Sequence, residues 1–344
     1  MKNKLFSHII LLIIIVFLVN SVTYSQKKLA QTGFQFLSVG TNARATAMGE
    51  AFTTVEGASD ALFYNPAGLA SVPAFIEISL NKMEWLADIE YISGNMALNF
   101  GDGRYGVFGL SFLTVDYGEF LWTRVADNEQ GFEDYETSAE LGSAGLADPR
   151  AHMIGLGYAK QLSASFSVGG QVKYVYQSLG KSIVPVYTET DTSIKLKKYS
   201  LGELAYDFGT QYRTGFKSLV FGMSVRNFSR EIRYEKEGFQ MPLTFKIGVS
   251  MNVIDFMPDL SNYHSLFISI DAAHPRSYPE FLNIGGEYVF MKMLALRAGY
   301  ISNQNDYDVT FGFGIRKFGF ELDYSYMPFT IFEDVNRVSV KFSF

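Results

Sequence analysis

The 344-residue chain contains no cysteine. That excludes disulfides, thiolate metal sites and lipidation at an N-terminal Cys. Charge is scarce as well: 19% of residues are charged, against about a quarter in an ordinary soluble domain. The formal net charge is −6, and removal of a leader carrying Lys2 and Lys4 but no acid takes it to −8. No basic field remains to neutralise phosphates, which excludes a nucleic-acid partner. Histidine is rare; past the leader only His152, His264 and His274 occur, scattered among strand starts and a loop. There is no G-x-S-x-G elbow, H-E-x-x-H pair or glycine-rich phosphate loop. No catalytic residue, cofactor or metal ligand is therefore expected, and the chain does not read as an enzyme. Beyond the first 25 residues no apolar run is long enough for a membrane helix.

What is abundant is aromatic: 16% of the chain, with 31 Phe and 21 Tyr. The chain begins with a short basic stretch, Met1 to Lys4, followed by an apolar run from Leu5 to Val19 and small residues at Thr23 and Ser25. This is the pattern of a signal peptide cleaved near Ser25–Gln26, and it predicts export.

From about residue 74 onward, apolar and polar residues alternate with period two. Phe311, Phe313 and Ile315 alternate with Gly312, Gly314 and Arg316; Phe320, Leu322 and Tyr324 alternate with Glu321, Asp323 and Ser325. This is the signature of a strand with one apolar and one polar face. Fourteen such segments are marked, at 74–80, 89–100, 104–117, 150–161, 166–178, 200–213, 218–228, 241–253, 264–273, 280–290, 294–301, 308–316, 318–326 and 336–344. Most have the length a tilted strand needs to cross a bilayer. Their connections alternate long and short, 254–263 being the main exception, as in barrels with external loops and tight periplasmic turns. Open sheet edges are excluded in lipid, so the sheet must close. The expected fold is all-β: a fourteen-stranded antiparallel transmembrane β-barrel in the outer membrane, surrounded by lipid. The last strand ends on Phe342 and Phe344.

The polar face carries Glu77, Lys173, Glu203, Asp207, Arg226, Lys246, Asp271, Glu287, Arg297, Glu321, Asp323 and Lys341. This mixed lining is not the single-sign ring of an ion-selective pore. The charges are expected to pair across the lumen and with an inserted segment.

That segment is Ser38 to Ala70, which has no regular period and is built of small residues with one lone cation, Arg44. Small residues permit close backbone approach, which suits a plug within the lumen. Ala43–Met48 and Ser59–Phe63 can each form a turn or two of helix, the second with Ser59 as N-cap; Asn65-Pro66-Ala67-Gly68 reads as a turn. Arg44 needs a carboxylate partner there, expected among Glu203, Asp207, Asp271, Glu287, Glu321 and Asp323. The domain plan is thus a signal peptide at 1–25, a periplasmic or plug segment at 26–73 and the barrel at 74–344. The loop from Gly118 to Pro149 is acidic, with aromatics interleaved. Trp122, Phe132, Glu133, Asp134 and Tyr135 form its candidate docking patch; its acids lack the spacing of a calcium-binding loop.

Gly33 to Ala70 resembles the N-terminal signature of the PorV/PorQ family of outer-membrane proteins, through Phe36-Leu37, Ala43-Arg44, Ala47-Met48-Gly49, Ala51-Phe52 and Asn65-Pro66-Ala67-Gly68-Leu69. Two departures stand out: Glu50 replaces a second glycine after Met-Gly, and Glu56-Gly57 replaces part of an acidic pair. The resemblance marks Phe36, Arg44, Met48, Gly49, Phe52, Asn65, Pro66 and Gly68 as signature residues. It implies a FadL-like barrel working with the type IX secretion system, as a cargo shuttle or as part of an attachment complex. Secretion-system or cargo proteins would be its partners, at the extracellular or periplasmic rim. FadL-type transport of hydrophobic compounds is the alternative.

Overall fold

The structure, a computed structural model, describes residues 32–118, 120–121, 123–125, 132–134, 146–147, 149–188, 191–304 and 306–344. The leader, its cleavage position, Trp122 and Tyr135 lie outside the described residues.

Fourteen strands close into one barrel. The first seven are β1 (Ile76–Glu84), β2 (Glu90–Asn99), β3 (Val107–Asp116), β4 (Arg150–Ser163), β5 (Phe166–Thr188), β6 (Asp191–Arg213) and β7 (Val220–Phe228). The second seven are β8 (Thr244–Asn252), β9 (His264–Pro275), β10 (Phe281–Phe290), β11 (Leu294–Ile301), β12 (Val309–Lys317), β13 (Phe320–Met327) and β14 (Val335–Ser343). Each pairs antiparallel with its successor, and β1 closes on β14 with Leu80 opposite Val340. Closure leaves no edge of unpaired backbone facing hydrocarbon.

Alternation decides which side chains meet lipid. In β3 buried and exposed positions alternate over all ten residues. Phe108, Leu110 and Phe112 point outward, while Gly109 and Ser111 point into the lumen. Leu156 and Leu296 are 66% and 62% exposed. In water such residues would seek burial; in a bilayer the hydrocarbon itself covers them. Near the short-turn end Phe75, Phe100, Phe108 and Tyr158 form a run of ring contacts, with successive centroids 5.6, 6.2 and 5.1 Å apart. Aromatic girdles of this kind mark membrane interfaces. The turn between β12 and β13 has only two residues, Phe318 and Gly319, at φ 55° and 79°. Two successive positive φ values match the type I′ hairpin that follows strand twist.

Most strand boundaries fall within three residues of the sequence reading, and two regions depart further. The first strand covers Ile76–Glu84 rather than 74–80. Residues 179–199, read as a loop, instead prolong β5 and β6 to 23 residues each. Their neighbours stop early, since β4 pairs with β5 only as far as Arg150 opposite Ser178. The remainder is a two-stranded arm of about ten residues per strand, or roughly 33 Å at the usual rise, with Lys197 paired to Glu235 of the β7–β8 connection. Ile183, Val184, Val186, Thr188, Thr192 and Ile194 give it strand propensity, although Pro185 and the lysines break the apolar alternation.

A closed barrel of this kind resists mild SDS until it is heated. Unboiled and boiled protein are expected to migrate at different positions on a gel. Identical migration, or recovery from the soluble fraction, would refute the closed barrel.

Candidate functional site

The lumen is occupied. The chain enters at the long-loop rim, where Thr32 bridges Gln240 and the Phe34 and Phe239 rings stack 6.1 Å apart. It leaves at the opposite end, where Asn99 Nδ2 donates to the Val72 carbonyl at 2.7 Å. Between these points the small residues allow contact with lumen backbone. Ala43, Ala45, Ala47, Met48, Phe52 and Leu62 are completely buried. Gly49 adopts φ +60°, and a Cβ built on Gly299 of β11 would lie 2.0 Å from the Gly49 nitrogen. No larger residue fits that crossing.

Local structure follows from side-chain caps. The helix α1 (Ala43–Ala47) is capped by Asn42, whose Oδ1 accepts from Ala45 N at 2.9 Å. A 3-10 turn spans Ser59–Phe63, but Ser59 is not its side-chain cap. Its backbone N–H donates instead to Glu77 Oε1 at 2.7 Å. A second 3-10 turn, Pro66–Ser71, has Asn65 as N-cap, with Oδ1 accepting from Ala67 N at 3.1 Å. Asn65 Nδ2 also donates to the carbonyls of Thr53 and Thr210, tying the segment to β6. A Cβ on Gly68 would lie 2.4 Å from the Val55 carbonyl oxygen.

Further carboxylate contacts hold the segment, among them Glu56 with Arg213 of β6 at 2.9 Å. Asp271 Oδ2 accepts from Phe52 N at 3.0 Å, Thr53 N at 3.0 Å and Thr53 Oγ1 at 2.7 Å. Asp60 pairs with Lys341 at 3.2 Å and accepts from Asn95 at 2.9 Å. Glu287 receives Arg44 through two bonds of 2.8 Å, so the lone cation does pair with one of the six expected carboxylates. The Arg44 guanidinium also lies 5.6 Å from the Phe52 ring centroid, and that ring is 5.0 Å from Tyr64. Phe36, Met48 and Pro66 serve as buried packing.

Glu287 sits at the centre of a larger network. It also accepts from Arg297 at 2.6 Å and from Arg316 at 3.3 Å. Arg297 reaches Asp323 at 2.6 Å and Glu321 at 3.5 Å. Arg316 reaches Glu321 at 2.6 Å, and Lys341 reaches Glu321 at 3.3 Å. The ladder makes this possible, because Glu287 is opposite Arg297, Arg316 opposite Glu321, and Glu321 opposite Lys341. With Asp60 the network joins four cations to four carboxylates, so its net charge is zero. Lys173 and Asp207 make a separate pair at 2.8 Å.

The other sequence-marked charges lie apart. Glu203 is near the outer end and pairs with the exposed Arg230 at 2.7 Å. Arg226 and Lys246 form no ion pair among the described residues. They line a cavity of about 380 Å³ in the outer half of the lumen, together with Glu50, Trp85, Tyr307 and Arg337. Burial pushes the Tyr307 phenol up to about 12, so it remains a neutral donor. Glu50 takes φ 59°, a conformation favouring glycine and costing a larger residue about 1–3 kcal/mol. Arg316 and Arg337 occupy lumen-facing strand positions that parity could have flagged. Asp60 belongs to the aperiodic segment, where no pattern marks it, and Glu50 is marked only by standing where the resembling family has a glycine. Of the acidic loop, Phe132–Asp134 pairs as a short strand with Thr123–Val125.

With this geometry in view, comparison with known proteins is informative. Residues 150–332, more than half the chain, match the family described as type IX secretion system membrane protein PorP/SprF. The chain belongs to this family. The match begins at Arg150 and so leaves out the Gly33–Ala70 stretch that resembles PorV/PorQ. Among solved structures, the toluene transporter TbuX of Ralstonia pickettii superposes with a TM-score of 0.60 at 11% identity, over 89% of this chain and 98% of that one. The Pseudomonas putida toluene transporter TodX gives 0.54 at 13% identity, over 89% and 99%. A Pseudomonas aeruginosa FadL homologue gives 0.51 at 11% identity, over 89% and 99%. At such identities these likenesses show the fold alone. No curated protein matches. This PorP/SprF-family chain is therefore a multi-pass outer-membrane barrel associated by family with type IX secretion.

The network generates a ranking. Glu287→Gln leaves Arg44 with no carboxylate and removes one partner each from Arg297 and Arg316, and is expected to cost about 3–5 kcal/mol. Arg44→Ala leaves Glu287 still paired to Arg297 and Arg316, and should cost less, about 1.5–3 kcal/mol. Denaturant unfolding of the two variants in lipid vesicles measures both. A larger loss for Arg44→Ala would contradict the assigned centre.

Proposed function

We propose that the protein is a non-catalytic partner in type IX secretion, serving as a cargo shuttle or attachment-complex component that presents its outer rim to other proteins. The observation that carries this reading is the occupied lumen. A segment pinned by Asp271, Glu287 and Lys341 runs through the interior and leaves no open bore beneath the outer cavity, so the working surface is the outer rim. Family membership supports the secretion context. The resemblance of Gly33–Ala70 to PorV/PorQ favours the shuttle or attachment role within it.

The rim supplies what docking requires. The β5–β6 arm rises clear of its neighbours, and the 118–149 connection carries Trp122, Phe132, Glu133, Asp134 and Tyr135. Aromatics supply anchors, and acids supply orientation and charge complementarity. Ile331 and Phe332, 77% and 53% exposed in the β13–β14 connection, add apolar area.

The alternative is uptake of a hydrophobic compound. It is favoured by the likeness to proteins named as toluene transporters and by the apolar part of the outer cavity wall, including Leu37, Trp85 and Phe281. Charges around that cavity and across the lumen weigh against an apolar path.

Deleting the gene should leave type IX cargo unattached at the surface or trapped in the periplasm, with hydrocarbon uptake unchanged. Trimming Gln130–Glu140 should reduce co-purification of cargo or secretion partners while heat-modifiable migration is retained, since a loop change leaves the sheet intact. Normal cargo anchoring combined with failed uptake of a hydrophobic compound would replace this reading with the alternative.

A further inference from the structure

We propose that the cavity in the outer half of the lumen is a binding site for a small organic anion, a phosphate monoester or carboxylate carried on an aromatic or apolar body. The cavity measures about 380 Å³. Its mouth lies at the long-loop rim, beside Ser38, Tyr278 and Asn303, all exposed. Its inner wall includes Arg337 and Lys246, which are 1% and 3% exposed.

The charge balance defines the ligand. Among the lining residues Arg226, Lys246 and Arg337 meet one carboxylate, Glu50, with Asp271 behind Lys246 on the adjacent strand, and none of the three cations forms an ion pair among the described residues. The contrast with the neighbouring network is direct, because there four cations meet four carboxylates. The cations here make weak substitutes for pairs. Lys246 Nζ donates to the Glu50 backbone carbonyl at 3.2 Å, and Arg337 Nε donates to the Gly40 carbonyl at 3.0 Å. Arg337 Nη1 and Arg226 Nε are buried with no hydrogen-bond partner. A buried, unpaired guanidinium is costly, and two donors left open beside a cavity specify an acceptor that enters it. Three lining cations against Glu50 and the Asp271 carboxylate behind Lys246 leave a net positive charge, which an entering anion offsets.

The walls define the rest of the ligand. The Arg337 guanidinium lies 5.4 Å from the Trp85 ring centroid, and Tyr307, Phe281 and Met327 complete an apolar and aromatic surface. A bare inorganic ion would leave that surface wet, whereas an aromatic body covers it. Glu50 is held at φ 59° against the cavity, and backbone strain of this sort clusters at ligand clamps. The chain's own preceding residues, which include Lys27 and Lys28, carry the wrong sign to serve as occupant.

Trp85 provides the readout, since Trp122 is the only other tryptophan. In a Trp122→Phe background, purified full-length barrel in neutral detergent is titrated with phenyl phosphate, phenol or inorganic phosphate while Trp85 emission is followed. Phenyl phosphate should change the emission saturably. Phenol and inorganic phosphate should each bind at least about tenfold more weakly, and Lys246→Gln or Arg226→Gln should each weaken phenyl phosphate by about tenfold. Both variants are first checked for heat-modifiable migration, and Lys160→Gln, on an outward-facing position of β4, should bind as wild type. The proposal is overturned if no ligand saturates, if phenol or inorganic phosphate binds as tightly as phenyl phosphate, or if folded Lys246→Gln and Arg226→Gln bind unchanged. None of these outcomes depends on cargo secretion.

Discussion

Charge can be kept inside a barrel only if each buried ion meets its counter-ion, and Glu287 is where this constraint is most heavily loaded. It is 3% exposed and accepts from Arg44, Arg297 and Arg316. Two of these arginines belong to the wall and the third to the segment inside, so one carboxylate joins wall and filling. Exposed ion pairs contribute about 0–1 kcal/mol, whereas breaking a buried pair by removing one partner costs about 3–5 kcal/mol. The lumen network therefore acts less as added stability than as a penalty on any arrangement that withdraws the segment.

Hydrogen bonds to the segment's backbone support the same arrangement. Asp271 takes two backbone N–H groups at Phe52 and Thr53, and these groups would otherwise be buried without acceptors. Glu77 likewise accepts the Ser59 N–H, and Asn99 Nδ2 donates to the Val72 carbonyl. An aperiodic chain cannot satisfy its own backbone as a helix does, so lumen side chains take that role. This explains why the polar face of the strands carries Asp, Glu, Asn, Ser and Thr rather than a uniform charge. The outer cavity is where the matching stops, with three cations facing Glu50.

The architecture was legible because period-two alternation survives in lipid with its faces exchanged: Phe108 and Leu110 outward, Ser111 inward. The pairing of Arg44 was legible for a related reason, since a lone cation among small residues leaves few solutions. The β5–β6 arm was not, because Pro185 and the run Lys195, Lys197, Lys198 obscure the alternation. The path of the inner segment, from the long-loop rim to the short-turn end, was hidden too. It depends on Thr32, Phe34 and Asn99 meeting residues far away in sequence. Asp60 and Glu50 lie where no period operates, and Ser59 was read as a cap because local rules cannot foresee Glu77 claiming its N–H. The acidic-loop residues Trp122 and Tyr135 lie outside the described residues and remain a reading of sequence.

The central claim is that Gly33–Val72 is held within the lumen, with α1 against β12 and β13. The absence of native cysteine permits a direct test. Thr46 Oγ1 and Ser325 Oγ are 2.9 Å apart, across the contact between α1 and β13. In membranes carrying the double variant Thr46→Cys, Ser325→Cys, mild oxidation should form a disulfide in nearly every molecule, seen as a reductant-sensitive gel shift absent from each single variant. Two thiols that stay free and react with a maleimide, in a barrel that still shows heat-modifiable migration, would place the segment elsewhere and contradict the account.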